Sequence, residues 1–163
     1  MERVIDFKEN YCPVVINNTY IIISFNYKEE ENDFNIGDFA SWFKLILPYP
    51  QSFNDIKSCI MDEINHMTQE NILKTFMWAG RQVWLSQENQ FNYKMAYDLA
   101  IQTNGASLPV TFKFGDSSKP LYYQFKTIDE LSKFYMDMVQ FINKQLEDCW
   151  RIKDSINWDD YKV

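Results

Sequence analysis

The 163-residue sequence predicts an α+β fold: three successive β-hairpin–helix units, with antiparallel sheet packed by helices. Three observations carry that prediction. Short runs of alternating apolar residues come in pairs, a capping residue follows each pair, and a stretch with helical apolar spacing follows each cap. The units share no obvious residue identity, so the triplication is architectural. One domain is expected over 1–163, with an N-terminal β-hairpin region at 1–50, a hairpin and helix core at 51–158 and a tail at 159–163.

In the first unit, Thr19–Tyr27 places Ile21, Ile23, Phe25 and Tyr27 on one strand face, with Tyr20, Ser24 and Asn26 opposite. Phe39–Leu47 alternates likewise, with Phe39, Phe43, Leu45 and Leu47 on one side and Trp42 and Lys44 on the other. The connection over Lys28–Asp38 carries Glu29, Glu30, Glu31 and Asp33, an acidic run most simply placed in solvent. Pro48 and Pro50 end the second strand. Ser52, with Asp55 three positions on, then predicts a capped helix in which Ile56, Ile60, Ile64 and Met67 share a face.

The second hairpin is expected from Ile72–Trp78 and Arg81–Leu85, turning at Ala79-Gly80. Ser86 predicts the start of a helix over 87–103 whose buried stripe is Phe91, Met95 and Leu99, with Ala96 beside it. In the third unit, Leu108, Val110, Phe112 and Phe114 alternate with Pro109, Thr111 and Lys113, and Pro109 favours a strand end. The run GDSSKP then turns the chain into Leu121, Tyr123 and Phe125. Thr127 and Glu130 form a capping box, and the last helix is expected to reach about residue 150, burying Ile128, Leu131, Tyr135, Met138, Ile142 and Leu146.

Composition narrows the function. The formal charge of −7 gives no field to gather phosphate backbones or anionic lipid, so neither nucleic acid nor membrane is an expected partner. Residues 1–80 hold 6 basic and 12 acidic side chains against 10 and 11 beyond, which puts the acidic face in the first half. Cys12, Cys59 and Cys149 are too few and scattered for a disulfide framework, and fit a reducing compartment. The N-terminus does not read as a secretion signal, and no stretch of eighteen uninterrupted apolar residues predicts a membrane span.

The candidates for covalent chemistry are sparse. His66 is the sole histidine, near the expected end of the first helix, and Cys59 precedes it by seven residues, too far along a helix for a direct thiol–imidazole bond. Paired acids such as Asp62-Glu63 and Asp129-Glu130 are helix neighbours that point apart. The four glycines are isolated turn residues and form no phosphate loop. No catalytic residue, metal or cofactor is therefore expected. Aromatics are the outstanding feature, at 17% of the chain. Core packing takes most of them, and Trp78, Trp84, Tyr122, Trp158 and Tyr161 are the candidates for a partner-binding surface. The tail bearing Trp158 and Tyr161 either folds back onto the body or serves as a docking segment.

From about Ile56 to Trp158 the chain carries Ile60-Met-Asp-Glu-Ile64 and Thr68, Trp78-Ala-Gly-Arg-Gln-Val-Trp-Leu-Ser86, Gln90-Phe-Asn-Tyr93, the third hairpin, Thr127-Ile-Asp-Glu-Leu131 and Trp150-Arg-Ile-Lys153. In that order of features it resembles an uncharacterised domain family of bacteriophage and prophage genomes, found in tail-fibre and tail-fibre-assembly contexts. The resemblance implies a non-enzymatic phage or prophage protein acting through protein contacts, as an assembly factor or a virion component. Its partner would be a phage structural protein or a second copy of itself, in the cytoplasm of the bacterial host or in the virion. Three other readings stand beside it: a carbohydrate-binding module using exposed aromatics, an acidic inhibitor of a host defence protein, and an enzyme built on Cys59 or His66.

Overall fold

A computed structural model describes residues 1–30, 39–49, 51–116 and 118–162 and has the α+β architecture expected, with three hairpin–helix units in order. The chain groups into two compact units, residues 1–66 with 149–163, and residues 67–148.

The first unit contains a four-stranded antiparallel sheet in the order β1-β4-β3-β2. Its central pair is the first hairpin, β3 (Tyr20–Glu30) and β4 (Phe39–Pro48). Two strands not expected from the sequence flank it: β1 (Glu2–Phe7), paired with β4, and β2 (Val14–Ile16), paired with β3. Strand β3 also runs three residues further than expected, because Lys28, Glu29 and Glu30 stay in register with Ser41, Ala40 and Phe39. Glu30 accepts a bond from Arg3 at 2.9 Å, so part of the acidic run is in the sheet, while Glu31 and Asp33 lie outside the described residues.

Ile21, Ile23 and Phe25 are fully buried and form one cluster with Ile56, Ile60 and Ile64 of helix α1 (Phe53–Lys74) and with Cys149 and Tyr161. The alternation stops after Phe25, where a bulge inserts one residue before Lys28 and Asn26 takes a φ of +57°. Asn is one of the few residues that adopts this left-handed conformation readily. Ser24, assigned to the outer face, is buried there, as is Trp42. The Tyr11 ring covers that side, 5.5 Å from Trp42 and edge-on.

Helix α1 starts as its cap predicts. Asp55 N–H donates to Ser52 Oγ at 3.2 Å and the Asp55 carboxylate accepts from Ser52 N–H at 3.1 Å. The Ser52 hydroxyl also donates to that carboxylate, and this bond first, then the one from Ser52 N–H, holds the Asp55 carboxyl below its ordinary pKa. The helix continues to Lys74, so Ile72–Lys74, expected in a strand, complete its last turn, and Lys74 pairs with Glu70 one turn back. The second hairpin is correspondingly short, β5 (Met77–Trp78) and β6 (Arg81–Gln82). Beyond them the backbone still pairs, Val83 N–H to Phe76 O and Leu85 N–H to Leu73 O, without a regular ladder. Its two-residue turn places both Ala79 and Gly80 at positive φ, +48° and +71°. That geometry matches strand twist, but it suits Gly or Asn better than Ala.

In the second unit, Ser86 caps α2 (Gln87–Gln102) by accepting from Asn89 N–H at 3.2 Å. The expected buried stripe is wrong. Tyr93 and Ala100 face the core with Ala96 and Tyr97 half-buried beside them, while Phe91, Met95 and Leu99 are exposed over 62%, 53% and 51% of their area. Two apolar stripes compete on this helix, and the tyrosines win because ring partners await them. Tyr93 meets Phe112 at 4.7 Å and Phe134 at 5.2 Å, and Tyr97 stacks on Tyr135 at 4.6 Å.

The third hairpin, β7 (Val110–Phe114) and β8 (Leu121–Phe125), buries Phe114 and Phe125. Asp116 fixes its turn by accepting from the N–H groups of Ser118 and Lys119 at 2.8 and 2.9 Å. The capping box opens α3 (Ile128–Asp154): Glu130 N–H donates to Thr127 Oγ1, and the Glu130 carboxylate accepts from Lys126 N–H and the Tyr123 hydroxyl. The helix ends four residues later than expected. Leu131 and Met138 are buried as expected, whereas Ile128, Tyr135, Ile142 and Leu146 are only half-buried. The centre of this core is Phe134, whose ring lies 5.1–6.1 Å from those of Phe76, Trp78, Tyr93, Phe112, Phe114 and Phe125.

Removing that ring leaves a cavity among six others. Phe134→Ala is expected to cost about 3–5 kcal/mol, read as a lowered urea midpoint. At the β5–β6 turn, Ala79→Asn should raise stability by roughly 1 kcal/mol, since the left-handed conformation disfavours Ala by about that much. Burial pushes the Tyr93 phenol up from 10.0 to about 12. A phenol raised on folding contributes its full stability below the unfolded value and loses it as the unfolded chain ionises first. The urea midpoint should therefore hold to pH 10 and fall between pH 10 and 12, less steeply in Tyr93→Phe than in the parent.

Candidate functional site

Residues four apart on a helix share a side. With Tyr93 and Ala100 turned inward, Phe91, Met95 and Leu99 therefore line up along the outward side of α2. Their flanks are polar: Glu88 and Gln102 lie beside them, and Lys94 holds Asp98 at 2.6 Å. On the side of Gln87, one turn before Phe91, a groove of about 350 Å³ opens. Ile72, Leu73, Leu85, Ile142 and Leu146 supply its apolar lining, and Gln69, Gln87 and Gln90 add amides. Stripe and groove adjoin along one helix of the second unit.

The five aromatics singled out from the sequence divide. Trp84 is 46% exposed between buried Val83 and Leu85, and the Lys74 ammonium lies 5.9 Å from its ring. Tyr122 is 67% exposed on the outer side of β8, opposite Lys113, while Tyr123 turns inward and bonds Glu130. Both side chains are exposed.

The other three pack inward. Trp78 is half-buried, edge-on to Phe134 at 5.3 Å and to Tyr123 at 6.4 Å, because the short β5 turns it into the aromatic core. Trp158 is half-buried against the first unit's cluster, with Lys57 5.0 Å from its ring. Tyr161 is buried, and its hydroxyl donates to Ser24 O at 2.7 Å. The tail folds back. Residues 158–161 form a 3-10 turn capped by Asn157, whose side chain accepts from Asp159 N–H.

His66 stands exposed on α1, two turns short of the helix end, since the helix outruns its expected length. Cys59 is half-buried; burial, then Asp62 and Asp55, push its thiol up, which keeps it protonated at neutral pH and weakens it as a nucleophile. Among the described residues, no three His, Cys, Asp or Glu side chains are grouped to hold a metal ion. No helix is long and apolar enough, among those residues, to cross a membrane.

Sequence reasoning missed the outward role of Phe91, Met95 and Leu99 by assigning that stripe to the core. The signal that could have found it is the second stripe of Tyr93, Tyr97 and Ala100, which brings larger rings to the opposite side. Comparison of the chain with known protein families, with curated proteins and with solved structures returned no match.

Proposed function

We propose that the protein acts by binding another protein, with the Phe91–Met95–Leu99 side of α2 and the adjoining groove as the docking surface. The observation that carries this reading is that three large apolar side chains in a row stay more than half exposed on one side of a helix whose other side buries Tyr93 and Ala100. Contiguous apolar surface with a polar rim is a mark of interaction sites. Covering what is left open on each of the three would return about 1 kcal/mol or more per side chain. Phe and Met are residue types enriched at the centre of such contacts, and Glu88, Asp98 and Gln102 would form the rim.

The identity of the partner rests on the phage resemblance alone. That resemblance favours a tail or tail-fibre structural protein, met during assembly in the host cytoplasm or in the virion, or a second copy of this chain. The protein contributes surface, not covalent chemistry, in this reading.

Co-expression with phage tail and tail-fibre proteins, followed by affinity capture, tests it. The parent chain is expected to recover a structural partner, or to sediment as an oligomer. Phe91→Glu and Met95→Glu should each weaken that association about tenfold or more while leaving the circular dichroism spectrum and melting temperature unchanged. Association undiminished in both variants would remove α2 as the docking surface.

A further inference from the structure

A second site stands in the first unit, independent of the α2 reading. A cleft of about 320 Å³ is lined by Tyr11, Asn26, Tyr27, the 155–157 segment, Asp160 and Tyr161. Its volume is at the low end of ordinary small-ligand pockets. Three separate stretches of chain build it: the residue after the 3-10 turn at Lys8–Asn10, the β3 bulge and the folded-back tail.

The bulge is what aims the side chains. By breaking the pleat between Phe25 and Lys28 it turns Tyr27 and Asn26 toward the cleft, a re-aiming that bulges provide beside functional sites. The Tyr11 and Tyr27 rings meet at 4.8 Å with their planes tilted by 52°, forming an aromatic corner. Both phenols of the Tyr11 and Tyr161 pair donate to one carbonyl, Ser24 O, at 3.3 and 2.7 Å, which fixes the walls.

Most of the polar lining is already committed. Asn157 accepts from Asp159 N–H and donates to Asp160 Oδ1 at 2.9 Å, and Ser155 Oγ donates to Ile152 O. Three side-chain groups remain open among the described residues: Asp160 Oδ2, the Asn26 carboxamide and the Tyr27 hydroxyl. The first is a pure acceptor, and the amide and the hydroxyl each offer both donor and acceptor.

That donor set selects the ligand. An anion would meet Asp160 with no basic side chain lining the cleft. An apolar molecule would strand these polar groups away from water. A simple cation would satisfy the carboxylate and leave the amide N–H pair unused. Hydroxyl groups donate and accept at once, and the C–H face of a sugar ring packs on a tilted aromatic corner. We propose that this cleft binds a neutral saccharide, with Asp160 and Asn26 reading its hydroxyls and the rings of Tyr11 and Tyr27 supporting its face.

The test is a titration of the full-length, isotope-labelled chain with glucose, galactose, N-acetylglucosamine, maltotriose and chitotriose, followed by amide chemical shifts. At least one of these is expected to give saturable shifts confined to residues around 11, 26–27 and 155–161, with a millimolar or tighter Kd. Asn26→Gly keeps the positive φ while removing the amide, and Asp160→Ala removes the carboxylate; each should weaken binding about five- to tenfold with the fold intact. Phe91→Glu should leave sugar binding unchanged, which separates failure of this site from failure of the α2 surface. Absence of saturable shifts with all five sugars overturns the proposal. So does a stronger response to tetramethylammonium or inorganic phosphate than to any sugar, or binding that survives both cleft variants.

Discussion

The ring of Phe134 is the contact on which the second unit depends. Placed on α3, it touches aromatic side chains from three other parts of that unit: Phe76 and Trp78 around the short hairpin, Tyr93 on α2, and Phe112, Phe114 and Phe125 on the third hairpin. Aromatic pairs add roughly 0.5–1.5 kcal/mol each beyond the area they bury, and their edge and face preferences constrain angle as well as distance. Tyr93 is drawn inward by this cluster, and α2 is thereby rotated so that Phe91, Met95 and Leu99 point away. An apolar surface outside is the direct consequence of an aromatic preference inside.

The first unit has an analogous fixed point in the carbonyl of Ser24, which accepts from two phenols brought from residues 11 and 161. A carbonyl has two lone pairs, so one backbone group can hold both ends of this arrangement. The cleft exists because the bulge two residues later interrupts the strand at that point. In each unit a geometric decision in the interior determines what the exterior can offer.

Local physics made much of the fold legible. The caps at Ser52, Ser86 and Thr127, the turn at Ala79-Gly80 and the alternation of Ile21, Ile23 and Phe25 each depend on neighbours within a few residues, and all are present. What escaped depends on distant partners. Strands β1 and β2 have little apolar alternation, and their pairing is visible only beside β4 and β3. The choice between two stripes on α2 needs the Phe134 ring, and Phe134 itself lay outside the stripe read for α3. The candidate surface was half legible. Trp84 and Tyr122 follow from apolar alternation beside inward-facing neighbours, whereas the burial of Tyr161 requires a bond across 137 positions of sequence to Ser24.

Strands β1 and β2 also close the four-stranded sheet on both sides. One carries Glu2, Arg3 and Asp6; the other is three residues long and follows directly on Pro13. Charge, brevity and proline are the devices by which proteins discourage ladder extension by a neighbouring chain. A protein with this many apolar rings is thereby discouraged from templating fibrils at the borders of this sheet.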